Sequence, residues 1–153
     1  MTRTLRTAAL ALALAACSTP ISPTLLQDGQ LIVAGVDVLA ATPLIPAGDA
    51  AIIMVVDGVL HTALTDLQKG SSTPADFVAV ATDEIKSLAA GPILTDLHAN
   101  ATITAGVAAL QAILPVIAAD LAPPSSAPVT AALAVDPGRA KLQAFVALHG
   151  GGR

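Results

Sequence analysis

Proline and glycine divide this 153-residue chain into apolar lengths, and that division most constrains its fold. Breaks fall at residues 43–48 (PLIPAG), 70–74 (GSSTP), 91–92 (GP), 123–128 (PPSSAP) and 136–138 (DPG). Proline removes a ladder hydrogen bond and crowds the preceding turn, while glycine readily leaves the helical region. Between the breaks, apolar residues mostly recur at three- and four-residue intervals, the period of a helix with one buried face. The pattern predicts an all-α protein, a small bundle of four to five helices with Pro/Gly breaks.

The first helical length runs from about Pro23 to Thr42, with Leu25, Ile32, Val36 and Leu39 on one face. The second, Asp49 to Lys69, places Ile52, Val56, Val59, Ala63 and Leu67 on an apolar stripe. Asp57, His61, Thr65 and Gln68 form a second, polar stripe on it. Its β-branched run at residues 52–56 also suits a strand, but the flanks continue at helical spacing. In the third length, Thr73 as N-cap, Pro74 at the first position and Asp76 at the third make a helix start. Phe77, Val80, Ala81, Ile85 and Leu88 supply its core face. The fourth runs from Ile93 or Thr95 to Ala122, aligning Ile103, Val107, Leu110, Leu114, Ile117 and Leu121, with Pro115 inside it. A last piece spans about Val129 to His149, with residues 136–138 read as an interruption and 150–153 as a flexible tail.

Composition excludes several classes of function. Charged residues are 12% of the chain and hydrophobic ones 54%, the opposite of the disordered signature. A single Cys cannot form an internal disulfide. Seven Lys+Arg against eleven Asp+Glu, with no basic cluster, leave nothing to neutralise nucleic-acid phosphates.

The N-terminus is organised differently from the rest. Arg3 and Arg6 precede a nine-residue uncharged apolar run, Ala8 to Ala16, ending in small residues. That is the layout of a secretory signal peptide, and it is far short of the roughly 20 residues a bilayer span needs. Leu14-Ala15-Ala16-Cys17 resembles the lipobox of bacterial lipoproteins. The resemblance covers only about the first 20 residues. It implies cleavage between Ala16 and Cys17, diacylglycerol on the Cys17 thiol and acylation of the new amine. It also implies residence in the bacterial cell envelope. Ser18 in place of the Asp that retains such proteins in the inner membrane implies the periplasmic face of the outer membrane. An ordinary cleavage site at residues 13–15 (ALA) is the alternative reading.

The expected organisation is therefore a signal peptide at 1–16, the lipidated Cys and tether at 17–23, a helical domain at 24–149 and a tail at 150–153. Cleavage leaves five basic and eleven acidic side chains, a net of −6, so attachment to anionic lipid must come from the acyl chains.

Residues 32–49 and 103–120 align without gaps at eight identical positions of eighteen, a possible internal repeat. Ala34-Gly35 and Ala105-Gly106 would give the two helices matching small-residue notches and let them pack on each other. The repeat pair and the DPGRA-x-L turn at 136–142 are also similar to small helical proteins of alphaproteobacteria and their prophages, a likeness that implies no activity. Residues 105–119 carry only Gln111 as a polar side chain. At this length a core helix is expected, and a membrane span is the alternative.

Chemistry-bearing residues form no catalytic constellation. No G-x-S-x-G elbow, G-x-G-x-x-G loop, Walker loop, H-E-x-x-H pair or calcium loop occurs. Asp57 and His61 stand at i,i+4 on one helix face, where a metal pair or an acid–base couple would sit. Two ligands do not make a metal site, so they are weak candidates and a solvated pair is the expected reading. Asp96, His98 and Asn100 alternate, and Asp96 or Asn100 suits a helix cap. Ten of eleven acids are Asp, with Asp28, Asp49, Asp76, Asp96 and Asp136 read as cap or turn residues. The absence of Trp and Tyr argues against stacking on carbohydrate.

The expected function is that of a membrane-anchored, non-enzymatic envelope lipoprotein acting as a structural or protein-interaction module, without cofactor, metal or nucleic acid. Its partners would be the membrane, through the N-terminal lipid, and an envelope protein. The alternatives are a helical carrier of small apolar ligands and a prophage-derived lysis protein.

Overall fold

A computed structural model describes residues 21–43, 45–90, 100–121 and 136–151. Among these lie five helices: α1 (Pro23–Ala40), α2 (Ala47–Gln68), α3 (Pro74–Ala90), α4 (Ala101–Ala119) and α5 (Pro137–His149). The fold is an all-α bundle. The signal and lipobox residues, the 91–92 and 123–128 breaks, Asp96 and His98 lie outside the described residues.

Each helix start has a local cause. Helices α1, α3 and α5 begin on a proline, whose fixed φ and missing N–H suit the first position, and α2 follows Pro46. Thr73 and Asp76 form a reciprocal capping pair: Asp76 N–H donates to Thr73 Oγ1 (3.2 Å), and Thr73 N–H donates to Asp76 Oδ2 (3.0 Å). Asn100 caps α4, its side-chain oxygen accepting from the N–H groups of Thr102 and Ile103. Its helix therefore begins at Ala101 rather than at Ile93 or Thr95. Asp136 caps α5 by accepting from Gly138 N–H (2.8 Å). Residues 136–138 are thus the start of α5, and the part of the last piece expected before them, residues 129–135, lies outside the described residues. At the end of α2, Gly70 adopts φ +71°, a left-handed turn that a side chain would strain.

Side-chain contacts fix the topology. Gly29 on α1 lies against Leu64 on α2 and Phe77 on α3, whereas Asp37 lies beside His61, so α1 and α2 are antiparallel. Likewise Gly35 meets Leu110 and Gly106 meets Leu39, making α1 and α4 antiparallel. Helices α1 to α4 pack in chain order, α4 returns to α1, and α5 lies on both α1 and α4. One pole of the bundle therefore gathers the start of α1, the α2–α3 turn, the end of α4 and the start of α5.

The core is aliphatic, and it accommodates its two phenylalanines by removing side chains opposite them. A Cβ on Gly29 would stand 2.9 Å from Phe77 Cζ, and one on Gly106 would stand 2.6 Å from Phe145 Cζ. The two matching notches of the repeated segments are also filled reciprocally. Leu110 occupies the space over Gly35, and Leu39 the space over Gly106, so equivalent residues of α1 and α4 exchange equivalent contacts. The correspondence stops at Ala40, where α1 ends while α4 continues through Pro115 to Ala119.

Helix α2 departs from the expected facing. Its buried residues are Ile53, Val56, Leu60, Leu64 and Leu67, so the core stripe is rotated from the expected one. Ile52 is 41% exposed and Val59 36%. Helix α2 is apolar on more than one stripe, and periodicity alone does not say which stripe its neighbours will cover.

Glycine substitutions separate packed notches from open ones. A Cβ on Gly58, midway along α2, would meet nothing within 4 Å, so Gly58→Ala should stabilise by about 0.5–1 kcal/mol through helix propensity. Gly106→Ala crowds Leu39 and Phe145 and should destabilise by about 1–3 kcal/mol. Chemical denaturation of the two variants reads the opposite signs directly.

Candidate functional site

Three groupings of polar or uncovered side chains stand out among the described residues. The first is buried. Asp28, 1% exposed within α1, accepts two hydrogen bonds from Arg139 of α5, Nε to Oδ1 at 2.7 Å and Nη2 to Oδ2 at 2.6 Å. Asp28 is thus not a cap but one half of a bidentate ion pair joining α1 to α5. The planar guanidinium matches a carboxylate in a way Lys cannot. Asp120, at the end of α4, lies 4.0 Å from the same guanidinium. Burial pushes the Asp120 carboxyl above its ordinary value, and the nearby Asp28 charge adds to this; Arg139 pulls the other way without overcoming them. The Asp28 hydrogen bonds in turn hold Arg139 above its ordinary value. Bidentate and closed on a buried carboxylate, this pair is a fastening.

The second grouping contains the sequence candidates. Helix spacing brings Asp57 and His61 together on α2, and the antiparallel packing of α1 adds Asp37. His61 Nε2 is 3.8 Å from Asp57 Oδ1 and 3.9 Å from Asp37 Oδ2. One donor atom from each of the three residues falls within 4.8 Å of the others. Bonds to a cation such as zinc are about 2.0–2.2 Å, so three donors at this spacing could close on one with small rotamer changes. The His61 side chain is 53% exposed and the Asp37 side chain 36%, so water competes at these two positions. The arrangement equally makes a protonated His61 the shared partner of two carboxylates.

The third grouping is an apolar groove of about 520 Å³ between α2 and α3. Met54, Val55, Val59 and Ala63 form one wall, Phe77 and Val80 the other, and Gly58 leaves a gap in the α2 side. Met54 and Val55 are 66% and 65% exposed, so the groove opens along α2 to solvent. Its polar end lies at the pole where α1 starts, and is lined by Asp66, Ser72 and Asp76. Ser72 Oγ is buried there with no hydrogen-bond partner among the described residues. The Thr73 side-chain and backbone hydrogen bonds hold the Asp76 carboxyl below its ordinary value. The sequence reading missed this groove because Val59, Ala63 and Val80 were expected in the core. The available signal was a second apolar stripe on α2.

Helices α2 and α4 are both long and apolar enough to cross a membrane, by length and composition. They differ in setting: 44% of the apolar window of α4 is buried in the bundle, against 28% for α2. The molecule is thus a small all-helical bundle with two helices long and apolar enough to cross a membrane, α2 being the less buried of the two. The chain matches no protein-family model, no curated protein and no solved structure.

The buried pair gives a stability test. Arg139→Ala leaves Asp28 as an uncompensated buried charge and should cost about 3–5 kcal/mol, with Arg139→Lys recovering only part of it. Asp120→Asn should act oppositely at neutral pH. Because the folded pKa of Asp120 is raised, its charge opposes folding above the ordinary carboxylate range, and that opposition fades as pH falls. The variant should therefore melt higher than wild type at pH 7 and converge with it in acid.

Proposed function

We propose that this protein is a lipid-anchored, non-enzymatic component of the bacterial envelope that works by binding another envelope protein. The observation that carries the binding role is the uncovered α2 face with its groove. An apolar helix that is only 28% buried over its most apolar window has surface to offer a partner. Asp49, Asp57 and Asp66 interrupt α2, and its Ile53–Leu67 stripe already holds α1 and α3, which favours a partner over a bilayer span.

The lipobox-like residues ending at Cys17 support the anchor. Only residues 18–22 stand between that thiol and α1, a reach of about 20 Å even when extended. Anchored this way, the protein presents the pole carrying Asp66, Ser72 and Asp76 toward the membrane surface. Two or more acyl chains suffice for stable attachment, which the net charge of the cleaved chain cannot supply. Ser18 favours the periplasmic face of the outer membrane.

The groove also supports a second reading, a carrier of small apolar ligands, since its volume lies in the range of small-molecule sites.

Metabolic labelling with a radioactive fatty acid tests the anchor. Wild type should carry label and fractionate with outer membranes, and Cys17→Ser should lose both label and membrane attachment. An unlabelled wild-type protein would overturn the lipoprotein reading.

A further inference from the structure

We propose that the α2–α3 groove receives an amphipathic helix from a partner protein, with the basic end of that helix against Asp66 and Asp76. This rests on the protein-binding reading above and names the chemistry of the partner.

Length favours a helix. The α2 wall of the groove extends from Met54 to Asp66, which at 1.5 Å per residue is about 18 Å, or some three turns of a partner helix, while α3 faces it over a single turn with Asp76, Phe77 and Val80. Two adjacent antiparallel helices leave a seam into which a third helix lays an i, i+3/i+4, i+7 stripe. Gly58 supports the same occupant. It costs α2 roughly 0.5–1 kcal/mol relative to Ala, yet no side chain among the described residues uses the space it leaves. A large apolar side chain from a partner would fill that gap, and the adjacent Met54 can adapt to it.

Charge gives the partner its polarity. None of the residues lining the groove is basic, and both of its acids lie at one end. Neither Asp66 nor Asp76 is ion-paired with Lys or Arg among the described residues. The capping bonds from Thr73 favour the charged Asp76 carboxylate, and no cation among the described residues compensates it. Ser72 Oγ adds a buried hydroxyl without a hydrogen-bond partner among the described residues at the same end. A second copy of this chain is a poor complement. The described helix with two basic side chains is α5, and its Arg139 is already bound to Asp28.

Isothermal titration of the mature chain with a synthetic helix-forming peptide of about 14 residues, long enough for the groove, tests this. The peptide carries leucines at i, i+3, i+4 and i+7 and two lysines at one end; a control replaces the lysines with glutamates. The lysine peptide should bind about tenfold more tightly than the control, with the difference shrinking as salt rises. Asp66→Asn should reduce the preference to roughly threefold or less, as expected for loss of one partly exposed charge. Gly58→Phe, placed in open space, should weaken both peptides while far-UV circular dichroism stays as in wild type and melting is at or above it. If that variant misfolds, Val55→Ser provides the same test on an already exposed side chain. Equal binding of the two peptides, no effect of the groove variants, or tighter binding of dodecyltrimethylammonium than of the lysine peptide would each overturn the proposal. Absence of peptide binding alongside normal fatty-acid labelling would overturn this inference alone and leave the anchor intact.

Discussion

Gly35 and Gly106 set the geometry on which the rest of the bundle depends. With no side chain at either position, Leu110 and Leu39 each drop over the glycine of the opposite helix. Phe145 and Leu142 of α5 then reach the same two notches from the third side. Helices α1, α4 and α5 therefore form a closely packed trio, and the Asp28–Arg139 pair fastens its polar end. An aliphatic chain with two phenylalanines has few large side chains with which to fill irregular gaps. Matching each ring to a glycine is one way such a core reaches ordinary packing density.

The trio has a consequence for the helices outside it. Helix α1 already faces α4 and α5, so α2 and α3 complete the ring from its other side, and α5 packs on the α1–α4 seam. The seam between α2 and α3 has no corresponding fifth helix among the described residues. The groove is thus the counterpart of the surface that α5 occupies, left open where α2 carries Met54, Val55 and Val59. Its polar end coincides with the pole from which the tether leaves, so an anchor at Cys17 would set the groove's orientation to the membrane as well as its distance.

Much of the fold was legible because the breaks are chemically explicit. Pro23 and Pro74 state where helices start, and Leu25, Ile32, Val36 and Leu39 state which face of α1 is buried, whereas the start of α4 was misjudged because Asp96 and Asn100 are equally good caps in sequence. Helix α2 was legible as an element but not in rotation, because Ile52–Val59 and Ile53–Leu60 are both acceptable apolar stripes. Only the neighbours decide between them, and they lie elsewhere in the sequence. The same limit hid Asp28. Its partner is Arg139, more than a hundred residues away, so local reasoning assigned it to the turn chemistry that suits Asp. Asp57 and His61 were found by their i,i+4 spacing, while Asp37 required the antiparallel register of α1 on α2.

The two kinds of carboxylate in this protein mark the division between what holds it together and what it can offer. Asp28 is nearly sealed from water and satisfied by a guanidinium in matching geometry, so its charge is spent inside the fold. Asp66 and Asp76 remain at the surface, bonded locally to Ser71 and Thr73 and paired with no cation among the described residues. A buried charge without its partner would destabilise the bundle, whereas an exposed one beside an apolar groove costs little and remains available. The difference explains why stability should respond to Arg139 and binding to Asp66, with little crossover between them. It also separates the packed notch at Gly106 from the open one at Gly58, since only the second lies where a new side chain can come from another molecule.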